Sequence, residues 1–417
     1  MLAENPRLAR VRPMGAEALE PAARGDATVR DCLLVQALLS HHEATATRLE
    51  QRIAYEPDAA LGHAIRAIAL GLQMRRAHAE AIATALDRAE AALQRPETSD
   101  QERALTTAAR AFTAGRPMDA LAALDARLTR APSDLLVMKL GHAIHFLVGD
   151  TAGMRRAIDA ALAAQPVDLP GRGYALGCQA FAHIESGEVE RGERVGREAV
   201  AHQPDDAWGA HAVAHALTTQ GRVRECVAWL RACREGLGHV NNFGGHLAWH
   251  EALCHLALGD DDAALALYDA RIAVHLGGDY RDVVNAVTLL HRLTARGHDV
   301  RDRARRVAAI AMERVGDHGS TFADLHYVLA LADVDPAAAR RVAASMRGAS
   351  TRATHEARIA RDVGLELADA IVLGATHEPA AERLERSRER WPALGGSRLQ
   401  RTIFEVLLDE ARAREAR

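Results

Sequence analysis

Two histidine pairs have types and a spacing that could do chemistry: His211 with His215, and His246 with His250, each at i,i+4. On a helix, positions four apart share one face, one turn apart, so each pair aims two imidazoles the same way. Three chemistries fit. Neutral imidazole nitrogens from two adjacent helices can bind zinc or a similar divalent ion at about 2.0–2.1 Å. The same rings can line a metal-free polar pocket as hydrogen-bonding or acid–base groups near neutral pH. They can also simply pack between helices, each nitrogen satisfied by a carbonyl or carboxylate. The packing explanation has to hold four times over.

Several other residues are candidates for the same site. Asp269, or Asp324 with His326 in Phe322-x-Asp324-x-His326, could complete or orient a metal site. Asp324 and His326, at i,i+2, do not face each other. Asn241 and Asn242 precede the His246 helix; capping accounts for one, and Asn242 is read as a ligand contact, as is Trp249. Arg292 and Asn285 are i,i+7 on the following helix, where Arg292 could hold a carboxylate. Lys139 is the sole lysine of the chain, so any Schiff-base chemistry would fall to it. In the acid–base reading His215, His250, Asp269 and Asp324 are the catalytic groups. Ligand binding then falls to His211, His246, Asn242, Trp249, His326, Arg292 and Lys139. The metal set is His211, His215, His246 and His250. His250-Glu251-Ala252-Leu253-Cys254-His255 is not a His-Glu-x-x-His zinc motif: at i,i+5 the second ring stands about 140° round the helix from the first.

These residues need a scaffold, and the glycines outline it. Gly115, Gly149, Gly187, Gly221 and Gly259 lie 34, 38, 34 and 38 residues apart, each between two apolar-periodic stretches of helical length. Pro132, Pro166 and Pro204 follow the first three by seventeen residues. Glycine at a helix end lets the chain turn into an antiparallel partner, and proline restarts it. Ala108, Ala180, Ala214 and Ala252, seven before four of these glycines, would allow close helix approach. Hairpins are expected at 60–94, 98–130, 134–165, 172–203, 207–236 and 243–275, after a single helix at 28–49. Further helices are expected at 279–296, 300–315, 319–333, 336–347, 353–374, 378–390 and 396–414. Residues 1–25 read as a partly ordered lead-in, and 26–417 as one unit with its clearest repeats at 98–275. His145, His183 and His255, four before a glycine, read as core or interface histidines.

This pattern resembles the tetratricopeptide repeat, a helix–turn–helix of 34 residues whose hairpins must stack to bury their faces. Four segments are more specific: DLPGRGYALGCQAFAHIESGEVERGE at 168–193, DDAWGAHAVAHALTTQGR at 205–222, HLAWHEALCHLALGDDDAALALYD at 246–269 and TFADLHYVLAL at 321–331. With them the chain is similar, over roughly 55–335, to the tetratricopeptide repeat protein 38 family. The resemblance implies an all-α superhelix of hairpins with a helical C-terminal continuation. With the turn glycine counted as repeat position 15, it places His211, His215, His246, His250 and Lys139 at positions that tend to line the concave surface. The run from Gly244 to His250 departs from the family, whose members often carry more aromatics there.

The bulk composition agrees. The chain has 417 residues, abundant alanine, few aromatics and a net charge of −4. Alanine, leucine, arginine and glutamate favour helix. No basic stripe with interleaved aromatics points to nucleic acid, and no long uncharged apolar run points to a membrane. Walker, dinucleotide-binding and nucleophile-elbow motifs are absent, which disfavours nucleotide-dependent and serine-hydrolase chemistry. Five scattered cysteines and no apolar leader fit a cytoplasmic protein with reduced thiols. The leading expectation is a concave His- and Asp-lined surface that binds a small molecule or short peptide. An enzyme using that pocket, with a zinc-like metal or histidine acid–base groups, is the alternative. A scaffold for protein partners is the third class, and a homodimer stays open.

Overall fold

The computed structural model describes residues 27–277 and 279–417; the lead-in over 1–25 lies outside the described residues. The described chain is helical, with no strand. Its elements are α1 (Ala27–Leu39), α2 (Thr45–Tyr55), α3 (Ala60–Gly71), α4 (Ala79–Ala92), α5 (Asp100–Thr113), α6 (Pro117–Arg130), α7 (Leu135–Leu147) and α8 (Thr151–Ala164). There follow α9 (Arg172–Glu185), α10 (Val189–His202), α11 (Ala207–Thr219), α12 (Val223–Cys233), α13 (Phe243–Ala257) and α14 (Asp261–Leu267). The C-terminal region holds α15 (Tyr280–Ala295), α16 (Arg301–Glu313), α17 (Thr321–Ala332), α18 (Pro336–Ala349), α19 (His355–Ile359), α20 (Leu365–Ala375), α21 (Ala381–Ser387) and α22 (Arg398–Glu415).

The five spaced glycines do what the chain needs at those points. They end α5, α7, α9, α11 and α13 at φ between +71° and +89°, a region closed to most side chains. After each, the next residue's N–H bonds the carbonyl five residues earlier, as Arg116 to Ala111, Asp150 to His145, Glu188 to His183, Arg222 to Leu217 and Asp260 to His255. This is the wider bond of the Schellman turn. His145, His183 and His255 reinforce three of these turns. Each directs Nδ1 at the acid just past the glycine: Asp150 at 3.0 Å, Glu188 at 3.1 Å and Asp260 at 3.0 Å.

First helices then stack in chain order: α7 on α9, α9 on α11, α11 on α13, α13 on α15 and α15 on α17. Ala108, Ala180, Ala214 and Ala252 are fully buried, which permits that approach. The single helix expected at 28–49 is two helices. The break falls at Ser40–Glu43, where His41 has φ 55° and its carbonyl accepts from Asn241 N at 2.8 Å while Glu43 N donates to His239 O at 2.9 Å. The chain turns there to dock on the loop before α13.

The C-terminal helices do not simply lengthen the stack. They fold back onto the turns of the earlier hairpins: His355 N donates to Gly115 O at 3.0 Å, Arg76 N to Asp317 Oδ1 at 3.0 Å and Arg398 N to Glu185 Oε2 at 2.9 Å. His291 on α15 ties this region together, with Nδ1 3.3 Å from Asp333 and Nε2 3.2 Å from Glu410 on α22. Burial alone would lower its pKa; the bonds to the two carboxylates outweigh burial and raise it to about 9. A folded pKa above the ordinary value near 6.5 gives stability that is complete below 6.5 and lost as pH rises through 9. Asp333 is 46% exposed, so solvent screens the pair. His291→Asn is therefore expected to cost only about 1–2 kcal/mol near pH 6 and close to nothing near pH 10, read from urea titrations at the two pH values. Among the described residues no helix is long and apolar enough to cross a membrane.

Candidate metal centre

The two histidine pairs meet. Asp206 caps α11 and fixes its start, and α11 lies on α13, so the imidazole rows of the two helices face each other. His215 Nε2 is 2.9 Å from His211 Nε2, His246 Nε2 is 3.0 Å from His211 Nε2, and His250 Nε2 is 3.2 Å from His246 Nε2. One nitrogen from each ring lies within 4.8 Å of the other three. Four nitrogens about 2.05 Å from one ion stand about 3.3 Å apart in a tetrahedron and about 2.9 Å apart along the sides of a square. The three short separations fall in that range.

The valences of the nitrogens sharpen the point. A neutral imidazole Nε2 carries one proton or one lone pair in the ring plane. Here four such atoms form a chain of three contacts, in which His211 and His246 each serve two. At most two of the contacts can be well-directed hydrogen bonds at once; the third must share a proton or lone pair already in use. One cation among them removes the conflict, because all four lone pairs then turn to it.

Electrostatics favours the neutral, ligating form. All four side chains are buried. Burial, with the neighbouring His246, pushes His215 down to about 3. Burial pushes His246 down to about 4 against the opposing bond to Asn285. His211 and His250 are lowered by burial and then by the other rings. Asn285 Oδ1 on α15 accepts from His246 Nδ1–H at 3.0 Å, which fixes the tautomer that leaves Nε2 with its lone pair. The Glu185 carboxylate on α9, itself buried and raised in pKa by burial, faces His215 Nδ1 at 3.6 Å, an outer charge rather than a hydrogen bond. Phe181 stacks on His211 (5.3 Å, 21°) and Trp249 on His246 (5.3 Å, 13°).

A cavity of about 160 Å³ opens beside His211 and His246. Lys139, Trp208, Phe243 and Asp282 line it, and Ser397 and Gln400 close it from the C-terminal side. His215 and His250 lie deeper, outside its wall. Burial and then the Asp279 charge raise the Asp282 carboxyl to about 7, and Asn242 Nδ2 donates to it at 3.0 Å. Asn241 Oδ1, not Asn242, accepts from Phe243 N at 3.0 Å at the start of α13.

Four of the residues read as partners of this site lie elsewhere, and a fifth, Trp249, stands behind the rings rather than in the cavity. Asp269 is a surface group held by Arg303 at 2.6 Å and 2.8 Å, because its helix presents that face to α16. Asp324 is buried against the turn before α17, accepting from His318 Nδ1 at 2.9 Å, while His318 Nε2 meets Ser345 Oγ at 2.8 Å. Those three stand in relay order, but Ser345 lies within α18, where its N–H serves the helix and supplies no oxyanion donor. His326 donates Nδ1–H to Phe322 O at 2.7 Å and packs on Phe404. Arg292 spans from Thr288 O at 2.9 Å to Thr402 Oγ1 at 2.8 Å and pins α22 to α15. Trp249 is wholly buried behind the imidazoles, donating to Thr288 Oγ1 at 3.0 Å; it supports the rings and does not reach the cavity.

Glu185, Asp282, Arg281 and His41 belong to the site and were not singled out from the sequence. Asp282 carried one usable signal, its i,i+3 spacing to Asn285. Glu185 carried none beyond being the only acid on its helix. No family model matches the chain.

Proposed function

We propose that this chain is a tetratricopeptide-type superhelix, related to the tetratricopeptide repeat protein 38 family. Its four imidazoles hold one divalent transition ion of zinc-like character, and its adjoining cavity binds a small molecule. The repeat reading is supported by the glycine period and by first helices that stack in chain order. The metal reading rests on the chain of three Nε2 contacts among four neutral, buried histidines.

The cavity's size and closure favour a small molecule over a peptide or a protein partner. A scaffold surface would be broad and open; here the C-terminal helices cover it. An enzyme is the second reading, and Asp282 favours it. A carboxyl raised to about 7 in the cavity wall, one turn before the residue that orients His246, is suited to acid–base work near neutral pH. It takes the part expected of Asp269 and Asp324. Elemental analysis of protein purified without chelator or a histidine tag tests the metal reading. About one equivalent of a transition ion per chain is expected; a metal-free chain after dialysis against zinc overturns it.

A further inference from the structure

Lys139 is the only lysine in a chain that otherwise uses arginine for every cationic side chain, and it lines the cavity. Its Nζ lies 4.8 Å from the centre of the Trp208 ring and 4.0 Å from Cys178 Sγ. Among the described residues no carboxylate comes within ion-pairing distance of it. Asp206 is the nearest in effect: its Oδ1 accepts from Trp208 N at 3.1 Å while its buried Oδ2 has no hydrogen-bond partner, and burial raises its carboxyl to about 7 against the pull of Lys139. Arg281, the other cation of the wall, is already matched by a two-pronged bond to Asp279. A partly buried ammonium with no counter-ion is costly, and here it faces a space bounded by flat apolar surfaces.

We propose that the cavity takes a small monocarboxylate with a planar or short apolar body. Its carboxylate meets Lys139 Nζ beside the His211–His246 edge, and its body lies against Trp208 and Phe243. Trp208 and Phe243 are stacked at 5.5 Å and 28° and offer faces to such a body. The space equals about five waters, which is room for roughly ten non-hydrogen atoms. A phosphate suits the wall less well, because one unmatched cation answers one negative charge.

The inference rests on reading this cavity as the ligand site but not on the metal. Lysine labelled with carbon-13 at Cε gives the full-length protein a single side-chain signal, that of Lys139. Benzoate is the probe, with benzamide and inorganic phosphate as controls, and metal per chain is measured on the same samples. Benzoate should shift the signal saturably. Benzamide and phosphate should bind at least ten-fold more weakly, and Lys139→Met should weaken benzoate at least ten-fold in calorimetry with metal content unchanged. Equal binding of benzamide, a stronger response to phosphate, or an unaffected Lys139→Met overturns the inference. Benzoate binding to a metal-free chain removes the metal reading and leaves this one standing. Metal without benzoate binding does the reverse.

Discussion

Replacing His246 by alanine should weaken the chain's hold on a divalent transition ion by about 100- to 1,000-fold. A structural zinc site yields about 10–16 kcal/mol over its ligands, or roughly 3 kcal/mol for each of four, and each 1.4 kcal/mol is ten-fold in affinity. His246 and His211 each make two of the three Nε2 contacts, so His211→Ala should match it. Asn285→Ala removes only the acceptor that orients His246, and a loss of about 10- to 100-fold is expected of such a partner. Competition against a chromophoric chelator ranks the three variants. Affinity equal to the parent's in all three would leave the histidines as packing residues.

Trp249→Ala should be the most damaging change to the fold near the site, at about 4 kcal/mol. The indole is completely buried, lies flat on His246, meets His250 edge-on at 5.0 Å, and donates to Thr288. Its loss leaves a void between α13 and α15 and withdraws a donor from a buried hydroxyl. Trp249→Phe keeps most of the surface and should cost about 1–2 kcal/mol. Urea unfolding in the presence of a chelator separates this packing effect from metal release. An alanine variant within about 1 kcal/mol of the parent would mean that the rings are not clamped as described.

What the sequence disclosed follows from local rules. A glycine at a helix end needs positive φ wherever the chain goes next, so Gly115 to Gly259 marked the turns within a residue or two. The i,i+4 rule aimed His211 with His215 and His246 with His250 without reference to anything distant. The stacking of consecutive first helices then brought the pairs together, a step a repeat makes almost local. The errors share one cause. Asp269, Asp324, His326 and Arg292 were assigned by type and order, whereas the residue opposite the imidazoles is decided by which helix turn faces inward and by the return of the C-terminal helices. Asp282 sits one turn before Asn285 on α15 and wins that position. Glu185 is reached from α22 through Arg398, more than two hundred residues away in sequence, and no periodic pattern reports such a contact. The break at His41 likewise reflects docking on the loop before α13 rather than any helix-stopping residue.

The partly enclosed cavity also bears on the proposed function. Ser397 and Gln400, at the start of α22, close one side of the hollow, and Lys139, Asp282 and the His211–His246 edge line what remains. On the proposed reading, that arrangement favours a compact ligand. It places a cation, a carboxyl that burial raises to about 7 and the edge proposed to hold a metal around one small volume, the minimum an acid–base or Lewis-acid site requires.

X-ray absorption at the K-edge of the bound ion tests the central claim most directly. Convergence of His211, His215, His246 and His250 on one ion predicts four nitrogen scatterers at about 2.0–2.1 Å with the outer-shell pattern of imidazole. A first shell dominated by sulfur or oxygen, or one holding two imidazoles or fewer, contradicts it.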